Sequence, residues 1–329
     1  MLCAAALVSL ATTSCADDFY TTSEPTFEVT IDKPIVRVGE RAVFNFEGSA
    51  DIISVYTGEE GCDYEYSSQK RILPSTMYMS FMTTVTGGNP GGNLNPKHFP
   101  ILYSTDFSGN YTLEDINAAT WVEITDMFTL PTDTEQRSIP SGEVCINDLF
   151  GDGKKIYLAM HYEVDVYDSN LGNGRNQWNI MNFMITGKCE DMVSTLYEQA
   201  NAGWTFVYEA GYEGCEDCGS STPNINNSRT LFRSEYKPKV EHKVWCVSGA
   251  IELFEDVDFG FDRPVAVKSY ADPVRSNYTH IYNEPGEYTA TFIGVNASAY
   301  GRYEVVREAT VQVVYDDGSI NQPTPDEWK

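Results

Sequence analysis

Three kinds of feature are scarce in this chain, and each scarcity removes a class of function. Basic residues are few: 22 Lys and Arg stand against 48 Asp and Glu, for a net charge of −26. A surface of that sign repels phosphate backbones, so nucleic-acid binding by charge is excluded, and no basic patch is available for anionic lipid. Long apolar runs are missing. None reaches the ~18 residues that a membrane-spanning helix needs. Recognisable catalytic motifs are missing too: there is no G-x-S-x-G elbow, no P-loop and no G-x-G-x-x-G. Four histidines, His98, His161, His242 and His280, show no metal-ligand spacing such as H-E-x-x-H. Cys215 and Cys218 form a single C-x-x-C, whereas a Cys₄ zinc site needs two and a redox pair needs a thioredoxin-like βαβ context. Carboxylates abound, but nothing singles out two of them as a glycosidase pair. The chain therefore reads as non-catalytic and without a cofactor.

What is present concerns export and β-structure. Leu2 to Ala11 form a short apolar run ending in small residues, the pattern of a signal-peptide core, with the signal taken as residues 1–14. Thr12-Thr13-Ser14-Cys15 resembles a bacterial lipobox, and Asp17 and Asp18 resemble the acidic export tag of Bacteroidetes surface lipoproteins. That resemblance implies lipidation at Cys15, a polar tether over 15–25, and a place on the outer membrane facing outward. The membrane is then met through the lipid anchor only, several acyl chains being needed for a firm hold. Besides Cys3 and Cys15 the chain has Cys62, Cys145, Cys189, Cys215, Cys218 and Cys246, whose pairing sequence cannot choose. Asn110, Asn226, Asn277 and Asn296 begin N-x-S/T sequons, which a bacterial lipoprotein makes coincidental.

The 329 residues leave room for two modest domains, and 21 Tyr with 16 Phe can fill sizeable cores. Phe27–Ile31, Ala42–Phe46 and Ile52–Tyr56 read as strands separated by turn signals at Pro34, Gly39 and Gly48. At the far end Tyr282, Pro285-Gly286 and Tyr288-Thr289 have the spacing of the polycystic-kidney-disease (PKD) type of Ig-like domain, with Tyr288, Ala290 and Phe292 on the inward face. Val38-Gly39-Glu40 followed by Val43–Phe46 resembles early strands of the same type. Front and back together have about 100 residues, the size of one sandwich. We therefore expect a discontinuous Ig-like domain over 26–67 plus 258–316. Between them, 68–257 is rich in β-branched and aromatic runs, such as Lys155–Tyr162 and Trp178–Ile185. This pattern argues a jelly roll, and the segments 104–109, 118–125, 141–142 and 156–162 resemble galactose-binding-like jelly rolls. Asp191–Ala202 is the best helix candidate, and 317–329 reads as a frayed tail. The whole resembles a family of Bacteroidetes surface lipoproteins encoded beside glycan-uptake systems. The resemblance implies binding of polysaccharide or oligosaccharide for a neighbouring outer-membrane uptake complex. A structural or adhesive surface protein and a glycoside hydrolase or lyase are the alternatives.

Sugar binding needs flat rings for stacking and polar groups for hydroxyls. Two long loops offer both. The loop 163–177 carries Tyr167, Asn173, Arg175 and Gln177. The segment 204–229 carries Trp204 and Tyr208 at its entry, then Tyr212, Asn224 and Asn226. Trp121, Trp178 and Trp245 lie inside strand runs and read as core. Jelly rolls that bind carbohydrate often hold a structural calcium ion. Asp165, Asp168, Asn170 and Asn173 are ligand-type residues in one loop, but their spacing does not fit an EF-hand and favours a solvated loop.

Overall fold

The computed structural model describes residues 22–87, 94–133, 138–190, 192–213, 221–315 and 319. The signal segment, Cys15, the Cys215/Cys218 pair and, Ser319 apart, the tail over 317–329 lie outside the described residues. The chain is all-β and divides into two units. One takes the chain up to Arg71 and again from Asp258; the other is Ile72–Val257.

The first unit is a discontinuous Ig-like sandwich. In one sheet Arg41–Glu47 lies between Glu28–Ile31 and Asn277–Ile281; in the other, Gly286–Ser298 pairs with both Ile52–Tyr56 and Gly301–Val314. Every front strand thus relies on, or reaches through one neighbour, a strand more than 200 positions away. The alternation of Arg41–Glu47 explains its place, since Ala42, Phe44 and Phe46 turn inward while Val43 and Asn45 do not. Phe44, Phe46 and Phe292 form an aromatic centre with ring centroids 5.2 and 5.4 Å apart. Ala290 and Phe292 are buried; Tyr288 is half-buried and stacks on Tyr282 at 4.4 Å. The Tyr282 hydroxyl donates to the carbonyl of Thr57 at 2.9 Å, tying the two halves of the chain.

The inserted unit is a jelly-roll sandwich of a seven-stranded and a six-stranded sheet, closed at its base where Ile72–Pro74 pairs with Asp256–Asp258. Lys155–Val164 shows why the second sheet is buried on both faces. Ile156, Leu158, Met160, Tyr162 and Val164 enter the main core, whereas Tyr157 and Ala159 enter a smaller cluster on the outer face. That outer cluster is roofed by a short helix, Leu113–Ala118, with Ile116 buried. Thr112 starts the helix: its hydroxyl oxygen accepts from Asp115 N at 3.1 Å and its O–H donates back to the Asp115 carboxylate at 2.5 Å. Trp178 is core, as its strand position implies, stacked on Phe99 at 4.6 Å. Trp121 and Trp245 are half-buried in the outer cluster.

One expectation fails here. Of the helix expected over Asp191–Ala202, residue 191 lies outside the described residues and Met192–Glu198 is a strand, the hairpin partner of Asn176–Cys189. Its Val193 and Thr195 suit a strand, and the ladder of a long hairpin outweighs a weak helical period. Cys62, Cys145, Cys189 and Cys246 are free thiols.

Candidate functional site

The strand Asn176–Cys189 carries the main candidate. One of its edges runs along Thr76–Gly87. The other edge has two successive partners: Trp178–Met181 pair with Arg229–Phe232, and Met184–Cys189 pair with Met192–Glu198. Asn182 and Phe183 fall at the fork between them. Against Thr76–Gly87 the register slips at the same place, since Met181 faces Met82 but Met184 faces Ser80. Three steps on one strand against two on the other make a β-bulge. Asn182 absorbs it with φ of 53°, a left-handed conformation that Asn tolerates better than most side chains. The extra residue also switches which positions point inward. Trp178 and Ile180 are buried before it, Phe183 and Ile185 after it.

The fork opens into a cleft of about 440 Å³, within the size range of small-molecule sites. Its walls come from three elements. The bulge supplies Asn182, Phe183 and Met184; the hairpin partner and its end supply Thr195, Glu198 and Gln199; the turn Asn227-Ser228 closes the third side. That turn is held by the Asn226 carboxamide oxygen, which accepts from Ser228 N at 2.9 Å, Ser228 Oγ at 2.8 Å and Arg229 N at 3.0 Å. Gln199 bridges the fork. Its Nε2 donates to Thr230 Oγ1 at 3.0 Å, while its Oε1, closed off from solvent in a residue 6 % exposed, finds no donor among the described residues. The cleft is thus lined by carboxamides and hydroxyls, one carboxylate and the half-buried Met184, over a floor closed by the buried Phe183. It suits hydrogen bonding to a polyhydroxylated molecule.

The residues expected to bind sugar are elsewhere, and mostly inside. Trp204 is 8 % exposed and lies one layer behind the cleft, edge-on to Phe183 at 5.1 Å. Gly203 sets it there with φ of 69°, its Cα so close to Gly249 that a Cβ would come within 3.0 Å of that backbone nitrogen. Tyr212 is buried and its hydroxyl donates to Arg233 O at 2.9 Å; burial pushes that hydroxyl far above the usual tyrosine range. Arg175 is buried, with Nε donating to Ser234 O at 2.8 Å. Asn173 is buried and spans its own loop, accepting from Asp168 N at 2.6 Å and donating to Val166 O at 3.1 Å. Tyr208 is half-buried against Tyr212 at 5.0 Å. Tyr167 is half-buried beneath the Lys237 ammonium, 4.8 Å from the ring centroid. The two loops do meet, both docking on residues 233–234. As stacking rings Trp204 and Tyr212 are corrected: exposure inferred from polar neighbours in sequence fails because distant residues, Phe183 for Trp204 and His242 for Tyr212, pack on the rings. The Asp168 carboxylate accepts from Asn170 N at 2.7 Å within its own turn. Among the described residues no group of three or more His, Cys, Asp and Glu side chains is placed to hold a metal ion.

A second cleft, of about 200 Å³, lies beside Lys97, His98, His161, Glu163 and Asp165. Its charges are largely paired with one another or with neighbours: His98 with Glu123 at 2.7 Å and Glu163 with Lys243 at 2.8 Å. His161 stacks on Trp245 at 4.3 Å, and both ring N–H groups converge on Glu209 Oε2, at 3.0 Å from His161 and 2.9 Å from Trp245. Burial holds the His161 imidazole below its ordinary value of 6.5, although Glu209 pulls the other way. As pH falls below about 6.5 the unfolded chain takes a proton here that the folded chain refuses, so stability falls. Urea titrations should therefore show wild type losing more stability than His161→Gln between pH 7 and pH 5. Parallel losses would contradict this reading.

The fold and cleft define a class: a discontinuous Ig-like sandwich carrying an inserted jelly roll, with a polar, largely neutral cleft at a strand fork. The chain belongs to the family described as domain of unknown function DUF5017, whose model matches residues 14–204. The match includes Cys15 and the cleft wall as far as Gln199, and stops short of the Asn227-Ser228 turn. No curated protein matches the chain.

Proposed function

We propose that the protein is a non-catalytic, outward-facing lipoprotein of the outer membrane that binds glycan for a neighbouring uptake complex. The observation that carries this reading is the fork cleft, where a ladder interruption at Asn182–Phe183 is lined by carboxamides and hydroxyls beside the half-buried Met184. Sugars offer the complementary surface, hydroxyl edges that both donate and accept, and C–H faces that prefer apolar contact.

The test uses a substitution that the backbone welcomes. Glycine accepts φ of 53° more readily than asparagine, so Asn182→Gly deletes the carboxamide without straining the bulge. Losing a hydrogen bond worth about 0.5–1.5 kcal/mol should weaken polysaccharide retention in affinity gels by ~2–10-fold. The melting temperature should stay within a few degrees of wild type. Release of reducing sugar by wild type would move the protein to the hydrolases. Equal mobility of wild type with and without every polysaccharide would favour a structural or adhesive role.

Anchoring is tested separately. Cells fed a clickable fatty acid should label wild type and not Cys15→Ala. Label on both, or release of wild type as soluble protein, would reject the anchor.

A further inference from the structure

From the chemistry of its walls we infer that the fork cleft selects neutral saccharides, free of uronate and sulfate groups. The inference rests on the glycan reading and adds the substrate class. Two observations on the cleft point the same way. Among the described residues no Lys, Arg or His lines it, and the one ionisable wall residue is the acid Glu198. Arg229, which follows the Asn227-Ser228 turn, directs its guanidinium to Asn179 Oδ1 at 3.4 Å.

A carboxylate or sulfate only accepts hydrogen bonds. Beside Glu198 it meets a like charge, a repulsive element of the kind that builds specificity. The net charge of −26 adds a long-range field of the same sign that disfavours approach of an acidic polymer. A neutral hydroxyl donates to Glu198 and accepts from the Asn182 and Asn227 carboxamides or the Ser228 hydroxyl, so no desolvated anion is left unpaired.

Affinity gels containing laminarin, galactomannan or dextran, against gels containing polygalacturonate or chondroitin sulfate, test this at about 0.15 M salt to limit long-range repulsion. The expected result is retardation by at least one neutral polymer and none by the acidic two. Asn182→Gly and Asn227→Ala should each weaken the neutral interaction by ~2–10-fold. Glu198→Lys should begin to admit polygalacturonate. If an acidic polymer retards wild type and Asn182→Gly relieves it, the neutral-sugar inference is overturned while the cleft stands as a glycan site. If no polymer retards wild type, or if Asn182→Gly and Asn227→Ala both behave as wild type, the cleft reading fails and the inference fails with it.

Discussion

Trp204→Ala is expected to lower stability by about 3–5 kcal/mol, the usual cost of emptying a large aromatic site in a packed core. The indole is 8 % exposed and packs edge-on against Phe183, itself 1 % exposed. Its removal leaves a cavity against Phe183, which closes the floor of the cleft. Glycan retention should therefore fall together with the midpoint of urea unfolding. A surface stacking platform would behave differently, losing retention with the midpoint unchanged. Trp204→Phe separates the ring from its N–H. Nε1 has no acceptor among the described residues, so deleting it sacrifices none of their hydrogen bonds, and the smaller ring should cost well under the alanine value. Trp204→Ala within about 1 kcal/mol of wild type would show that the indole is not part of the core.

Asp262→Ala should be comparably damaging to the Ig-like unit, at about 3–5 kcal/mol. Its carboxylate is 3 % exposed and receives Arg71 in a two-pronged contact, from Nε at 3.1 Å and Nη2 at 2.7 Å. Asp63 N donates to the same carboxylate at 2.8 Å, and the guanidinium lies over the Tyr66 ring at 3.7 Å from its centroid. Burial alone raises the Asp262 pKa, but the Arg71 and Asp63 hydrogen bonds outweigh it and hold the carboxyl below its ordinary range. Truncation leaves the Arg71 charge, whose side chain is 8 % exposed, with only the looser Asp63 carboxylate at 4.0 Å. The pair sits where the chain leaves and re-enters the unit, beside the backbone bonds Arg71 N to Gly260 O at 2.7 Å and Phe259 N to Arg71 O at 2.8 Å. Replacing both members, Arg71→Met with Asp262→Leu, should recover much of the loss, because a packed apolar pair carries no unpaired charge. A double substitution as damaging as the single one would contradict this account. The carboxylate's contribution is present above pH about 4 and disappears as pH falls through its lowered pKa.

Part of the cleft had a signal in the sequence. Inward positions are even-numbered at Trp178 and Ile180 and odd-numbered at Phe183 and Ile185, so one residue between them had to be extra. Asn182 was the residue there best able to take a left-handed backbone. The roofing helix had a signal as well, in Thr112 with Asp115 three positions on. The Gln199 contribution had none, since its partner Thr230 lies 31 positions away and on another strand.

By itself the sequence determined the all-β class and the split of one sandwich by an insert. Alternation in runs such as Arg41–Glu47 is a local consequence of one buried face, and the Pro285-Gly286 turn with Tyr288, Ala290 and Phe292 marks a strand that needs distant partners. Its charge also set which ligands are repelled, because net charge requires no fold. Only the tertiary structure decided which aromatics are interior and where a cleft opens. Trp204 and Tyr212 stand beside glycines and polar residues in sequence, but burial depends on what the rest of the chain lays over a ring. The fork at Asn182–Phe183 exists because two strands far apart in sequence divide one edge between them, and pairing of that kind is a property of the assembled sheet.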